Sequence, residues 1–400
     1  MRACLALLLC IGAVTMFAQS GRQIINPDAT RPFSGGVKAE NFVYVSGSVG
    51  TDAKGAVAKG DIKAQTKQTL ENIDAILKKG GSSLARAASV TVYIRNASDF
   101  AAMNEAYGTM WPKDPPTRTT VVINQPFANA DALVEIAAVG IVNGTERQVV
   151  HPSDWVRSPA PYNYGIKSGD TLFMSGLVSR NGKDNSNVKG DITAQTKTIL
   201  DNGAAILKQA GMGFGDVVAS RVYITDETGF QAMNAAYRSY FTAGSMPARA
   251  TVKTGLTSAD YVVEITMVAV KNASRKVVAT PAADGTVPAA NPNAVLSAAI
   301  QVGNRLYLSG ITGNTAANKG DAKAQTTEAL ARIQRTLKAA GFDASNVVDS
   351  TVYLGDMTNY QSMNGSYREA LMKDFPARAT VGTGLMGADA AVEIMMVAAK

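Results

Sequence analysis

The constraint that dominates this 400-residue chain is self-similarity at a spacing of 130 residues. Gly60-Asp61 returns as Gly190-Asp191 and Gly320-Asp321, and Gln65-Thr66 as Gln195-Thr196 and Gln325-Thr326. Tyr93 returns as Tyr223 and Tyr353, and Met103-Asn104 as Met233-Asn234 and Met363-Asn364. A period this long is a whole domain copied three times, not a turn of a solenoid. The expected domains are 22–142, 151–271 and 285–400. Asn143 to Pro159 and the Ala- and Pro-rich Ala273 to Pro292 read as spacers. The lone histidine, His151, falls in the first and reads as solvated.

Each copy carries the same pattern. Phe42 to Ser46, Leu172 to Ser175 and Arg305 to Ser309 alternate like short strands and end in Ser-Gly. A helix follows each Gly-Asp pair, with Ile62, Leu70, Ile73, Ile76 and Leu77 close to a 3.6 period in copy 1. Gly81, Gly211 and Gly341 stop it. After a second strand, another helix is expected to start on the N-caps Ser98, Thr228 and Thr358. Its stripe of Phe100, Met103 and Tyr107, with equivalents in the other copies, reads as core. Two closing strands complete an α+β sheet with both helices on one face. The last strand is apolar on both faces: Leu133, Val134, Ile136, Ala137, Ala138, Val139 and Ile141 in copy 1. The helices cover one face, and only another copy can cover the other.

Residues 1–18 read as a secretory leader. Arg2 precedes an apolar run from Ala3 to Phe17, with cleavage expected after Ala18. The run is too short to span a membrane, and a lipid anchor on Cys10 is the weaker reading. Both cysteines, Cys4 and Cys10, would leave with the leader, so a secreted or periplasmic protein without disulfides is expected. With one His and two Cys, a Cys/His zinc site and a disulfide framework are excluded. No metal or other cofactor is expected. The net charge of +7 permits acidic partners without demanding them.

Two charged residues recur against this apolar background. Arg118, Arg249 and Arg378 each follow Pro-Thr or Pro-Ala. Glu135, Glu264 and Glu393 interrupt the doubly apolar strand, where a carboxylate is costly unless partnered. A structural salt bridge is one reading. The other gives the arginine to a substrate carboxylate and the glutamate to a water.

The ordered set Gly-Asp-x-x-x-Gln-Thr, Thr-Val-Tyr-Ile, Phe-x-x-Met-Asn-x-x-Tyr, Pro-Ala-Arg-Ala-Thr-Val and Val-Glu-Ile resembles the RidA family, also called YjgF or endoribonuclease L-PSP. The resemblance covers all three copies. It implies chorismate-mutase-like domains, trimeric assembly with sites at the interfaces, and hydrolysis of reactive 2-imino or 2-enamino acids to 2-keto acids and ammonia. By the same resemblance, Arg118, Arg249 and Arg378 bind the carboxylate, and Glu135, Glu264 and Glu393 place the water. Asn104, Asn234 and Asn364 line the pocket with Ser46-Gly47, Ser175-Gly176 and Ser309-Gly310. The family's Pro-Tyr persists only as Pro161-Tyr162, where Tyr162 could relay a proton; Phe33 and Leu296 replace it elsewhere. The family's pocket cysteine is Thr120, Thr251 and Thr380. Arg and Glu lie two residues further apart in copy 1, which suggests a longer hairpin.

With three copies in one chain, a monomeric intramolecular pseudo-trimer is expected, with pockets between copies 1 and 2, 2 and 3, and 3 and 1. Each arginine is expected to be partly exposed in its cleft. Two competing functions remain: a non-enzymatic ligand-binding or protein-protecting scaffold, and a ribonuclease or RNA binder. The lack of histidines for general acid/base cleavage disfavours the latter. A small carboxylate-bearing substrate, no nucleic acid and no membrane span are expected.

Overall fold

The computed structural model describes residues 21–123 and 125–400; the leader expected at residues 1–18 lies outside them. Copy 1 runs β1 (Arg22–Ile25), β2 (Gly36–Ala39), β3 (Phe42–Ser48), α1 (Ile62–Lys79), β4 (Ala87–Ile94), α2 (Phe100–Thr109), β5 (Thr117–Val122) and β6 (Val134–Ile141). The sheet order is β1-β2-β3-β6-β4-β5. β4 and β5 are parallel and β6 lies antiparallel to β4. Copies 2 and 3 repeat this plan, giving three open sheets.

Local chemistry sets the helix ends. The Asp61, Asp191 and Asp321 carboxylates accept from the backbone N–H of Ala64, Ala194 and Ala324 and cap the long helices. Such a cap is worth about 1 kcal/mol. Gly81, Gly211 and Gly341 sit at φ of 77°, 71° and 76° just past the helix ends, a conformation that favours glycine. The second helix begins differently from expectation. Ser98, Thr228 and Thr358 lie inside a short 3₁₀ turn, and the α-helices begin at Phe100, Phe230 and Tyr360. Asp226 and Asp356 cap that turn by accepting from the N–H of Thr228 and Thr358, because an aspartate two residues upstream reaches the same amide.

No hairpin joins Arg118 to Glu135. β5 is an edge strand and the chain crosses back past β4 to reach β6. The two extra residues of copy 1 fall in this crossover. There Gln125 donates to the Gly355 carbonyl and accepts from the N–H of Met357, tying copy 1 to copy 3.

The final strands pack as their two apolar faces require. Val134, Ile136 and Ala138 join the core under α1 and α2. The opposite face joins one cluster shared by all three copies, containing Tyr93, Tyr223 and Tyr353, all nearly inaccessible. Both spacers are docked rather than loose: each supplies an edge strand, Gln148–Val150 or Lys276–Val278, to the next sheet. His151 is partly buried, with Nε2 2.9 Å from the Trp155 carbonyl, so it is not a solvated spacer residue. Among the described residues no helix is long and apolar enough to cross a membrane.

Where the copies meet, their residues differ. Arg305 of copy 3 reaches Glu40 of copy 1 at 3.2 Å and Asp170 of copy 2 at 2.8 Å. Arg221 of copy 2 faces Asp349 of copy 3 at 3.9 Å. Three chains associating through like copies would bring three Arg305 or three Arg221 together without their carboxylates, and buried like charges are costly. Closure within one chain gives every one of these charges its partner. Light scattering is therefore expected to give the mass of one chain, at or just below 41.8 kDa; a stable trimer of chains would overturn this.

Candidate active site

Alternation along β6 turns Glu135 away from its own helices, since Val134 and Ile136 point toward them. Arg118 and Thr120 on β5 share the opposite orientation and face α2. Arginine and glutamate of one copy therefore diverge, and the sites form in trans. Arg118 meets Glu264, Arg249 meets Glu393, and Arg378 meets Glu135. The three pairs fall at the junctions of copies 1 and 2, 2 and 3, and 3 and 1.

The seam between copies is a repeated hydrogen-bond relay. The backbone N–H of Arg118 donates to Ser175 Oγ, which donates to the Asn163 carbonyl. Arg249, Ser309 and Ser297 repeat it, as do Arg378, Ser46 and Ser34. The serine hydroxyls are thus engaged with backbone. They bolt the seam rather than offer a ligand contact. The adjoining glycines have a separate role: a Cβ on Gly47, Gly176 or Gly310 would run into Oε1 of Glu135, Glu264 or Glu393. A side chain there would displace the carboxylate from this position.

The arginines are sealed, contrary to the expected partial exposure: Arg118, Arg249 and Arg378 are 4%, 1% and 2% accessible. Aromatic rings cover them. Arg118 Cζ lies 4.9 Å from the Tyr107 ring centroid and 5.6 Å from Tyr162. Arg249 lies 4.9 Å from Tyr237. Arg378 lies 4.7 Å from Tyr367 and 4.9 Å from Phe33. The stripe read as core is core in Met103 and Tyr107, but its tyrosine also forms the arginine's platform. Phe33, Tyr162 and Leu296 are equivalent in position, because each precedes the residue that receives the seam serine.

No arginine forms a salt bridge with its facing glutamate among the described residues, so the structural ion-pair reading does not hold. Arg249 and Arg378 each donate to Asn234 or Asn364 Oδ1 at 2.6 Å. Asn104 Oδ1 and Arg118 Nη1 have no partner, nor do Arg249 Nε and Nη1 or Arg378 Nε. The hydroxyls of Thr120, Thr251 and Thr380 are likewise unpartnered and buried. An unmet buried donor costs about 1–3 kcal/mol, more when charged. Unmet polar atoms thus recur at all three equivalent places.

The glutamates are nearly as buried, at 7%, 4% and 6% for Glu135, Glu264 and Glu393. Desolvation pushes their pKa up to about 7, 8 and 8. The backbone N–H of Thr380, Thr120 and Thr251, and then the facing arginine, oppose this rise only in part. Burial also pulls the arginines' pKa down, yet a guanidinium stays charged in proteins. Each site thus pairs a fixed cation with a carboxyl that titrates near neutrality.

The site of Arg118 and Glu264 opens into a cavity of about 470 Å³ lined also by Phe100, Asn104, Thr120, Tyr162 and Gly176. Arg180 and Tyr261 line it too. No repeated motif marks these two, because the other copies lack them. A contiguous cavity of about 430 Å³ shares Asn104, Glu105 and Tyr162 and is walled by the first spacer, including His151 and Arg157.

The family model for Endoribonuclease L-PSP matches residues 23–142, 154–271 and 287–400. The chain belongs to this family. Its L-PSP copies are similar to single-domain relatives. A RutC family protein of Pyrococcus horikoshii is 42% identical over 114 residues, which are 28% of this chain and 89% of the relative. The 3-aminoacrylate deaminase RutC of Acinetobacter baylyi is 36% identical over 126 residues, 30% of this chain and 98% of the relative. A solved chorismatase, 14% identical, covers 79% of this chain and 93% of its own with a TM-score of 0.51. That likeness is one of fold.

The raised glutamate pKa values make a stability prediction. A carboxyl whose folded pKa exceeds its unfolded value adds stability below about pH 4.5, and that stability is lost as pH rises through about 8. Glu264→Gln removes the ionisation. It should raise the melting temperature at pH 8.5, by an amount corresponding to roughly 3–5 kcal/mol, and change it much less at pH 5. Equal shifts at both pH values would contradict this.

Proposed function

We propose that the chain hydrolyses 2-imino or 2-enamino acids to 2-keto acids and ammonia, one reaction centre lying at each seam. The observation that carries this reading is the buried guanidinium with unmet N–H groups, facing a carboxyl whose pKa lies near neutrality. The first suits a substrate carboxylate and the second suits proton transfer at physiological pH. That one relative is named a 3-aminoacrylate deaminase is consistent with it.

Arg118 takes the carboxylate, with Asn104 beside it. This orients the adjacent iminium carbon toward Glu264. A water on the Glu264 carboxylate loses a proton to it as the water oxygen bonds to that carbon. The tetrahedral adduct then collapses: the proton returns to nitrogen, the C–N bond breaks to release ammonia, and the hydroxyl gives its own proton to the Glu264 carboxylate as the C=O bond forms. Tyr162, whose ring lies 5.6 Å from Arg118 Cζ, relays the proton that returns to nitrogen. A protonated imine is already electrophilic, so orientation and one proton transfer suffice. The apolar run from Ala3 to Phe17 after Arg2 supports the further proposal that the protein works outside the cytoplasm. Mass spectrometry of the purified native chain tests it by finding a start after Ala18.

The reading is tested by generating imines from several amino acids with an amino-acid oxidase and following ammonia release. Turnover should rise with pH to a plateau above about 8, because the glutamate acts as base. An unperturbed carboxylate would plateau below pH 6. Arg118→Ala should cost about 1.5–3 kcal/mol in kcat/KM. Among Glu135→Gln, Glu264→Gln and Glu393→Gln, the Glu264 change should cost most, since only its site holds Tyr162. Absence of turnover with every imine overturns the reading. Equal losses overturn the ranking.

A further inference from the structure

The Arg118–Glu264 cavity holds a second arginine that the reaction above does not use. Arg180 lies on the copy 2 wall of the same cavity. Its Nε donates to Tyr261 Oη at 2.7 Å, and that hydroxyl donates to Asn187 Oδ1 at 2.5 Å. Asn187 Nδ2 in turn donates to Asp260 at 2.6 Å. The guanidinium is thus held by one edge. Among the described residues neither Nη group has a protein acceptor, so the two-pronged end of the fork is free at the cavity wall. That end fits a planar carboxylate through two parallel N–H bonds.

The other sites lack this arrangement. Leu177, Ile311 and Ser48 pair with the equivalent residues Ile265, Ile394 and Ile136. Three residues on, Arg180 corresponds to Asn314 and Thr51. Tyr261, three residues before its glutamate, corresponds to Ala390 and Ala132. The cation and the hydroxyl that orients it therefore occur together, and in one site.

The remaining charges favour a second anion. Glu105 lines the cavity but is paired with Lys63 at 2.6 Å. Asp260 is engaged through Asn187. Glu264 is largely neutral at pH 7 because burial raises its pKa to about 8. A monocarboxylate would answer Arg118 and leave Arg180 without a counterion.

We propose that the site between copies 1 and 2 is specific for the imines of dicarboxylic 2-oxo acids, Arg118 holding the carboxylate next to the imine and Arg180 the distal one. This rests on the deaminase reading and narrows its substrate class. The full chain is titrated calorimetrically at pH 7 with the product analogues 2-oxoglutarate and oxaloacetate, and with 2-oxobutanoate and pyruvate. One tight dicarboxylate site per chain is expected, at least tenfold tighter than for the monocarboxylates. Arg180→Gln should bring that ratio down toward one, and Arg180→Lys, which keeps the charge without the fork, should retain an intermediate ratio. Melting curves confirm that both variants fold. Equal affinities in the unaltered chain, or equal weakening of both ligand classes by Arg180→Gln, overturn the proposal. The two readings fail separately. Hydrolysis of monocarboxylic imines with no dicarboxylate preference overturns this one alone. Arg180-dependent binding of 2-oxoglutarate without turnover of any imine overturns the deaminase reading and leaves only the dicarboxylate recognition by Arg118 and Arg180 standing.

Discussion

Everything in this molecule follows from a strand that one domain cannot cover. The closing strand of each copy is apolar on both faces, and the two helices lie on one of them. The uncovered face is the larger problem, because it spans the middle of the sheet and includes a buried tyrosine in each copy. Burying such a face is worth far more than any single polar contact, so the copies must share a core. Once they do, the edge strand carrying the arginine lies against the Ser-Gly end of the next copy. The seam relay then fixes the register of that contact.

The chemistry arises where this packing meets backbone alternation. Within one copy, arginine and glutamate point to opposite sides of the sheet and cannot neutralise each other. Across a seam they face the same volume, held apart by the glycine against the carboxylate and the aromatic rings over the cation. The packing therefore maintains a buried positive charge beside a carboxyl that titrates near neutrality. The unmet donors of the guanidinium are costly to bury, and an anion would satisfy them. On the proposed reading, stability is given up locally at three places in favour of binding an anion there.

Much of this is legible in the residues. The repeat spacing, the glycine stops and the long helices after each Gly-Asp pair follow from local rules and appear where expected. The trans pairing of Arg118 with Glu264 follows only once the strands are ordered in the sheet, because sequence distance suggested partners 15 or 17 residues apart in one copy. The burial of the arginines was illegible for a similar reason. It depends on Tyr107 and Tyr162 closing from different copies, and no window of sequence contains both. Ser98, Thr228 and Thr358 looked like caps because a hydroxyl before an amphipathic run usually is one. Asp226 and Asp356, two residues earlier, take that amide in copies 2 and 3.

A repeat also conceals. Matching copies draws attention to what recurs, and the recurring residues here are those of the common chemistry. Residues that individualise the copies are lost as mismatches: Arg305 against Phe42 and Thr171, Arg221 against Thr91 and Thr351, Arg180 against Thr51 and Asn314. In the fold these mismatches fall at shared positions, the first two where the copies meet and the last at a cavity wall. A symmetric assembly of identical subunits cannot place a charge on one side of a junction and its counter-charge on the other without repeating both. A single chain with three copies can. It can pair Arg221 with Asp349, draw Glu40 and Asp170 onto Arg305, and give one seam a second guanidinium while leaving two without it. Joining the copies covalently therefore does more than save the entropy of association. It frees each seam to diverge, and the divergence is concentrated at the seam between copies 1 and 2, where Tyr162, Arg180 and Tyr261 converge on one cavity.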